Sequence, residues 1–250
     1  MINYILADIK RICHKKSFLA VTGVYISAFC MMLFIYFNPT FTAEAYIAKT
    51  KSFLSFFPLF TGLSLFLSVF YDDFKSKSMQ TAIGYGIQRY KIVAVKILES
   101  IPLLTGILFC FNLLAWTASY VLGLHLKQTQ VCIIILYSMA ELFRTIGYLC
   151  ISAILVFQTQ NAVNGTILYV LLSSRTILLL SSIILGQDIF INTIGDLTKY
   201  LFTPQLYRVC DTFLQKGTID IAALIFSLSI YMVLPVIVSI GCFQKKELEF

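Results

Sequence analysis

The sequence predicts an all-α membrane protein with six transmembrane helices. Hydrophobic residues make up 59% of the chain and charged residues only 12%, whereas soluble domains carry roughly a quarter charged residues. The apolar residues are gathered into blocks of about twenty, the length that a helix needs to cross the hydrocarbon core. Short polar segments with Asn, Pro, Gly and charged residues separate these blocks. The pattern indicates a single transmembrane domain that covers residues 1–250.

Residues 1–17 predict an amphipathic helix that lies in the membrane interface. At 100° per residue its apolar side chains share one side: Ile2, Ile5, Leu6, Ile9, Ile12 and Cys13. The polar ones lie opposite: Asp8, Lys10, Arg11, His14 and Lys15. A signal peptide is not favoured, because no small-residue cleavage site follows the next apolar run.

Six apolar segments follow as predicted spans: 18–37, 53–71, 103–122, 131–157, 163–185 and 219–243. Pro102 is expected to divide an interfacial helix from the third span. Residues 186–218 carry apolar residues at helical spacing and are divided by Thr203-Pro204. This segment predicts two short external helices, re-entrant in or resting on the outer leaflet.

The polar stretch 72–91 predicts a short cytoplasmic helix and a turn. Asp72 or Asp73 is expected to cap a helix over residues 74–83, because a carboxylate accepts the free N–H groups of a first turn. Gly84 is suited to ending this helix in the left-handed conformation, and Gly86 lets the chain turn. Such a helix is either a docking surface or an ordinary positively charged loop.

The side chains of this stretch define the candidate docking surface. Phe74 offers the largest ring, so we expect it to be the anchor of any partner contact. The apolar residues are Phe74, Met79, Ala82 and Ile83, and the flanking cations are Lys75, Lys77, Arg89 and Lys96. Glu99 lies one turn after Lys96 and is expected to neutralise it.

The distribution of Lys and Arg predicts that both termini are cytoplasmic. On that side lie eleven cations: Lys10, Arg11, Lys15, Lys16, Lys75, Lys77, Arg89, Lys91, Lys96, Lys245 and Lys246. On the external side lie six: Lys49, Lys51, Lys127, Lys199, Arg208 and Lys216. The formal charge of +7 therefore indicates contact with the inner leaflet, with no nucleic-acid partner.

Three ionisable residues fall near the middle of predicted spans, namely Glu141, Arg144 and Arg175. A charge at this depth costs roughly 2.5–3.5 kcal/mol even on the lenient insertion scale, so each side chain should face protein or water. Glu141 is expected to pair with Arg144 on the same helix face or with Arg175 across helices. Three roles remain open for them: a structural ion pair, direct substrate contact, or a conformational latch.

Other chemistry has little support in the sequence. The seven cysteines are scattered and no pair has metal-ligand spacing, so no metal site is predicted. Gly84-Tyr85-Gly86 lacks the third glycine of a dinucleotide-binding loop and follows no strand. An intramembrane protease would need paired carboxylates or histidines, and Glu141 is the only deep carboxylate. No catalytic residue is predicted, and the chain is not expected to be an enzyme by itself.

Residues 70–97 resemble the ABC transporter type-2 permease family. The likeness rests on the short helix that begins with acidic residues, on the turn Gly86-Ile87-Gln88-Arg89, and on Lys96 seven residues after Arg89. Members typically place a serine before the arginine, where this chain has Gln88. The amphipathic N-terminal helix, the divided segment 186–218 and the tail Lys245-Lys246-Glu247 also resemble the family in layout.

The resemblance implies a permease subunit of the bacterial cell membrane that pairs with a second permease chain, identical or different. It also implies two separate cytoplasmic ATPase subunits, which would bind the ATP and Mg; no cofactor is expected in this chain. Residues 72–84, Arg89 and Lys96 would couple the permease to the ATPase. The expected substrate is an amphipathic peptide, such as an antimicrobial peptide or bacteriocin exported or expelled for self-immunity.

Alternatives remain open at this point. Related branches of the family move drugs or polysaccharide and teichoic acid precursors. A membrane immunity or sensor protein without an ATPase partner would explain the spans, but it would not explain the helix predicted at residues 74–83.

Overall fold

The computed structural model describes residues 2–38, 41–76 and 78–245, without the side chains of Ile2, Lys75, Ser78, Ile189, Phe190 and Ile194. All regular structure in these ranges is helical. Five helices are long and apolar enough to cross a membrane, and a bent pair forms a sixth candidate if it is one span. The protein is therefore an all-α, membrane-spanning protein.

The first half of the chain contains five helices. Their bounds are α1 Ile2–Cys13, α2 Lys16–Tyr36, α3 Ala43–Phe74, α4 Ser78–Gly84 and α5 Arg89–Val121. Two π-helical segments, Pro58–Gly62 and Leu67–Tyr71, interrupt the α-helical pattern of α3.

The second half contains six helices. Their bounds are α6 Gln128–Thr159, α7 Ala162–Ser173, α8 Thr176–Leu185, α9 Asp188–Ile194, α10 Phe202–Lys216 and α11 Ile221–Lys245. A 3-10 turn, Thr198–Tyr200, precedes α10, and a π-helical segment, Ser229–Val233, lies within α11.

Three boundaries differ from the sequence prediction. Helix α3 begins at Ala43 instead of residue 53, because the Thr42 side chain caps it and the Tyr46 hydroxyl bonds to the Ala115 carbonyl at 2.5 Å. Helix α5 runs through Pro102, where a division was expected. Helix α10 begins at Phe202, so the break precedes Pro204, which lies in the first turn, where a missing N–H removes no helical bond.

The predicted fifth span is broken. Helices α7 and α8 are bent by 60° relative to each other, and the break lies at Ser174 and Arg175. Arg175 has φ +64°, a left-handed conformation that is uncommon for a residue with a side chain. The chain therefore changes direction within an apolar segment, at a charged residue.

Helix α6 forms the centre of the bundle. Within its most apolar window 78% of the residues are buried, compared with 22% for α2 and 11% for α11. It packs against α3, α5, α7, α10 and α11. Helices α2, α8 and α11 lie at the periphery, and their exposed apolar faces suit contact with lipid or with a second membrane chain.

Two glycines allow helices to approach α6 closely. A Cβ at Gly147 would lie 2.3 Å from the Phe202 ring, so only glycine lets the start of α10 pack there. A Cβ at Gly62, on α3, would lie 2.6 Å from the Thr145 methyl group on α6 and 2.0 Å from the Tyr169 hydroxyl on α7. Small residues at such contacts are typical of packed membrane helices.

Candidate functional site

Two groups of residues were expected to carry function, and the first lies around α4. Asp72 and Asp73 do not cap this helix. They belong to the last turn of α3, and α4 starts separately at Ser78. The predicted helix over 74–83 is therefore split in two. Both carboxylates form ion pairs instead: Asp73 with Arg11 on α1 and Lys96 on α5, and Asp72 with Lys15 just before α2.

Gly86, not Gly84, ends α4 in the left-handed conformation. Gly86 has φ +84° and its N–H donates to the Ile83 carbonyl at 2.9 Å. The Ile87 N–H donates to the Ala82 carbonyl at 3.1 Å, which completes a Schellman motif. Gly84 is the last helical residue, and Gly86 provides the turn into α5.

The apolar face predicted for docking packs inside this chain. Met79 and Ala82 are 3% and 6% exposed, and Ile83 packs against the core. The Phe74 ring contacts the Phe157 ring at a centroid distance of 6.4 Å, next to Phe243. Phe74 is therefore a packing residue of the bundle, which corrects its expected role as a free anchor. Lys77 and the Lys75 side chain lie outside the described residues.

The exposed aromatic residue of this region is Tyr85, directly after α4. Its side chain is 85% exposed, whereas Tyr90 on the next helix is 41% exposed. A cavity of about 210 Å³ lies beside the turn, between α1 and α5, and Tyr4, Ile87 and Lys91 contribute to its wall. The surface around α4 thus presents an exposed aromatic side chain, Tyr85 instead of the predicted Phe74, and a neighbouring recess.

Lys96 lies at the centre of a buried ionic cluster. Its ammonium is fully buried and pairs with Asp8 at 2.5 Å, with Glu99 at 3.0 Å, and with Asp73. Arg11 pairs with Asp73 at 2.8 Å and with Asp8 at 3.1 Å. The predicted contact between Lys96 and Glu99 is observed, but Lys96 is not on an exposed coupling surface.

This ionic cluster joins three helices, α1, α3 and α5. Beside it, Lys15 pairs with Asp72 and donates to the Ser68 hydroxyl at 3.2 Å. Several opposite charges converge in a buried place, so their mutual attraction offsets part of the desolvation cost. The end of α3 that leads into α4 is consequently fixed to the N-terminal helix.

Asp8 was assigned to the polar face of α1, and the structure corrects this. Asp8 points into the bundle with Ile9 and Ile12, whereas Leu6 is 58% exposed and Cys13 is exposed. Burial by itself raises the pKa of Asp8. The positive charges of Lys96 and Arg11 lower it by a larger amount, so the pKa of Asp8 lies below its usual value. The helical periodicity of the sequence misplaced Asp8 because it contains no information on partners from other helices.

Arg89 binds the C-terminal end of the last helix. Its guanidinium donates to the Phe243 carbonyl at 3.2 Å and to the Gln244 carbonyl at 3.4 Å. A cation at the free carbonyls of a helix C-terminus is favourable because it complements the helix dipole. The first residue of α5 is thereby tied to the end of α11, and α1 and the end of α11 lie at the same end of the bundle as α4.

The second group lies deep in the bundle, around Glu141 and Arg144. These side chains form an ion pair at 2.7 Å and are each 1% exposed, so the predicted pairing of Glu141 with Arg144 is confirmed. The Arg144 guanidinium also donates to the Ser55 carbonyl at 2.6 Å and to the Tyr207 hydroxyl at 3.1 Å. The Tyr207 hydroxyl in turn donates to Glu141. This intramembrane network joins α3, α6 and α10.

Sequence reasoning missed the contribution of α10 to this network. Besides Tyr207, Thr203 shares a hydrogen bond with Tyr148 at 2.8 Å, and Asp211 accepts one from Tyr137 at 2.5 Å. Polar residues recur on one side of α10 at helical spacing, and this pattern could have predicted that α10 packs against other helices. Helix α10 is held against the middle of α6, so it enters the bundle rather than resting on its surface.

Arg175 is not brought into this network. It lies at the break between α7 and α8 and is partly exposed. Its charge acts on Glu141 and Tyr207 from a distance. Within residues 2–38, 41–76 and 78–245 its guanidinium makes no hydrogen bond and no ion pair. The predicted alternative of a direct Glu141–Arg175 pair is therefore not observed.

No group of histidine, cysteine and carboxylate side chains suited to a metal ion occurs among the described residues. Comparisons with protein-family models, with curated proteins and with solved structures found no match for this chain. Any functional conclusion therefore depends on the sequence resemblance and on the geometry given above.

Proposed function

We propose that this chain is the membrane permease subunit of an ATP-driven ABC exporter. It pairs with a second permease chain and couples to separate cytoplasmic ATPase subunits, and it exports an amphipathic peptide. The observation that carries this proposal is the attachment of α4 to the bundle. A short helix with an exposed aromatic residue is fixed to the ends of the spans by buried contacts, as a force-transmitting element requires.

The contacts around α4 support transmission in both directions. The Phe74 ring touches α6 through Phe157, and the ionic cluster fixes the end of α3 to α1 and α5. Arg89 fixes the start of α5 to α11. A displacement of α4 would therefore move several membrane helices together. A loop with no role beyond connection would not need these buried contacts.

A six-span topology is supported by the positions of α1 and the end of α11. Asp8 pairs with Lys96 and Arg89 binds the end of α11, so α1 and the end of α11 lie at one end of the bundle. An even number of crossings is required between two segments at the same end. Five long helices satisfy this only if the bent pair α7–α8 provides a sixth crossing. The distribution of Lys and Arg assigns this end to the cytoplasm.

Tyr85 replaces Phe74 as the proposed anchor for the ATPase. A side chain that is 85% exposed loses most of its water-accessible surface when a partner covers it, and tyrosine is enriched among the residues that dominate interface energies. Nucleotide-driven closure of the ATPase dimer would then shift α4 between two positions. The ATPase changes the equilibrium between inward-open and outward-open states only if its contacts with the permease differ between these two states.

Co-purification tests this function. The tagged chain is extracted from native membranes with and without Tyr85→Ala, and the bound ATP-hydrolysing subunit is quantified. We expect Tyr85→Ala to weaken association by about 2 kcal/mol or more, since truncation of an aromatic anchor typically costs this much. Tyr120→Ala is the matched control, because Tyr120 is 81% exposed and lies at the other end of the bundle.

Two results of the co-purification would contradict parts of the proposal. If no ATP-hydrolysing subunit accompanies the wild-type chain, the exporter function is refuted and a stand-alone immunity or sensor protein is favoured. If the subunit binds equally well to the Tyr85 and Tyr120 variants, the exporter proposal survives but the role of Tyr85 does not.

A further inference from the structure

Arg175 is a cation at the break in the predicted fifth span. Of the three charged residues deep in the predicted spans, Glu141 and Arg144 neutralise each other at 2.7 Å. Arg175 adds one positive charge, and none of the described side chains pairs with it. Uncompensated charge at this depth is costly, and such residues usually mark a substrate or ion pathway. Because the described residues supply no counter-ion, an anion from outside the chain could fill this role.

Lipid head groups are poorly placed to supply this anion. Arg175 lies between α7, which has 12 residues, and α8, which has 10. At 1.5 Å per residue these helices extend about 18 Å and about 15 Å from the break. Both distances exceed the length of an arginine side chain. In the single crossing proposed above for α7 and α8, the phosphates at either surface would therefore be out of reach of Arg175 without a rearrangement of the segment.

A second copy of the chain is also a poor source. Its deep carboxylate, Glu141, would already be paired with its own Arg144 and with the Tyr207 hydroxyl. Removing it from that network would leave Arg144 as an unpaired buried cation in turn. A pairing between copies would therefore exchange one uncompensated charge for another.

We propose that Arg175 binds the carboxylate of an amphipathic substrate within the membrane. This inference rests on the proposed function as an exporter and assigns its substrate class. A guanidinium matches a carboxylate with two parallel N–H···O bonds, which suits recognition of a planar anion. The Ser174 and Thr176 hydroxyls lie at the same break and are hydrogen-bonded to each other at 2.9 Å. The 60° bend holds this polar group within the apolar segment.

A binding measurement tests the proposal without ATPase or transport. The purified chain is placed in nanodiscs of zwitterionic phosphatidylcholine, and saturable binding of lauroyl glycine is compared with that of lauroyl glycinamide. The two probes share the acyl chain and differ in the terminal charge. We expect wild-type protein to bind the carboxylate about tenfold more tightly, a difference of about 1.4 kcal/mol. Arg175→Gln should abolish this preference, and Arg175→Lys should keep part of it.

Two controls make the result decisive. Arg208→Gln removes an exposed arginine from α10 and should leave the preference unchanged. The melting temperature of Arg175→Gln should not fall, because an unpaired charge stabilises nothing, whereas the loss of a structural ion pair would lower it. These readouts separate a ligand site from a structural role.

The proposal is overturned if Arg175→Gln keeps the carboxylate preference, or if the wild type shows none. It is also overturned if phosphatidylglycerol discs eliminate the binding, because a lipid phosphate would then be the natural anion. Each of these failures would leave the exporter function intact. The absence of an ATPase partner, conversely, would leave a positive binding result unaffected.

Discussion

At the residue scale, the network of Glu141, Arg144 and Tyr207 gives each buried charge an ionic partner and at least one hydrogen bond. The carboxylate has a cation and a hydroxyl donor, and the guanidinium has the Ser55 carbonyl as a further acceptor. Because these groups come from α3, α6 and α10, the network fixes the position of α10 in the bundle. A conformational latch would use the same contacts.

Glu141→Gln should destabilise the protein by about 3–5 kcal/mol, because it leaves Arg144 as an uncompensated buried charge. The double variant Glu141→Gln/Arg144→Gln should recover part of that loss, since both charges are then absent. Unfolding of the purified protein in detergent measures both effects. Tyr231→Phe is the control, as it removes an exposed hydroxyl that bonds to the Tyr200 carbonyl. If the losses of unfolding free energy for the two single substitutions simply add up in the double variant, the two side chains have no favourable interaction and the pairing is refuted.

At the element scale, α10 depends on glycine as well as on charge. Gly147→Ala would place a Cβ 2.3 Å from the Phe202 ring, and overpacking of this kind costs about 1–3 kcal/mol. A Cβ at Gly106, on α5, would have no neighbour within 4 Å. Gly106→Ala should therefore be neutral or stabilising by up to about 1 kcal/mol. Melting temperatures of the two variants test this, and equal shifts would contradict the close packing of α10 on α6.

The elements also show what a sequence can predict. The long apolar blocks predicted the membrane helices because burial in lipid depends on composition and length. The start of α3 was missed because Glu44, Lys49 and Lys51 resemble a loop, although a cap at Thr42 and the Tyr46 contact with α5 make that segment helical.

The candidate site was predicted less well, for a related reason. Asp73 was expected to cap a helix, but it pairs with Lys96 and Arg11 from distant parts of the chain. Capping and ion pairing use the same side chains, so local sequence does not distinguish them. The pair Lys96–Glu99 was predicted correctly because both partners lie on one helix. Tyr207 required knowledge of how α10 packs.

At the scale of the whole molecule, orientation relates the fold to the proposed function. If the end that carries α4 is cytoplasmic, a membrane-impermeant thiol reagent applied to intact cells should label Lys199→Cys and miss Gln88→Cys. Both positions are exposed in the structure, and both variants are made in a background without the seven native cysteines. Access to Gln88→Cys after permeabilisation confirms that the site is reactive. The reverse labelling pattern would contradict the orientation and the docking of a cytoplasmic ATPase.

The whole account depends on one contact, that of the turn after α4 with a cytoplasmic ATPase. The most direct measurement places a photo-crosslinking phenylalanine analogue at Tyr85, with the same substitution at Tyr120 as the control. Irradiation of native membranes should join position 85, and not position 120, to an ATP-binding subunit, and the yield should change when ATP is trapped in its site. Crosslinks to lipid alone at position 85, or equal capture from both positions, would contradict the account.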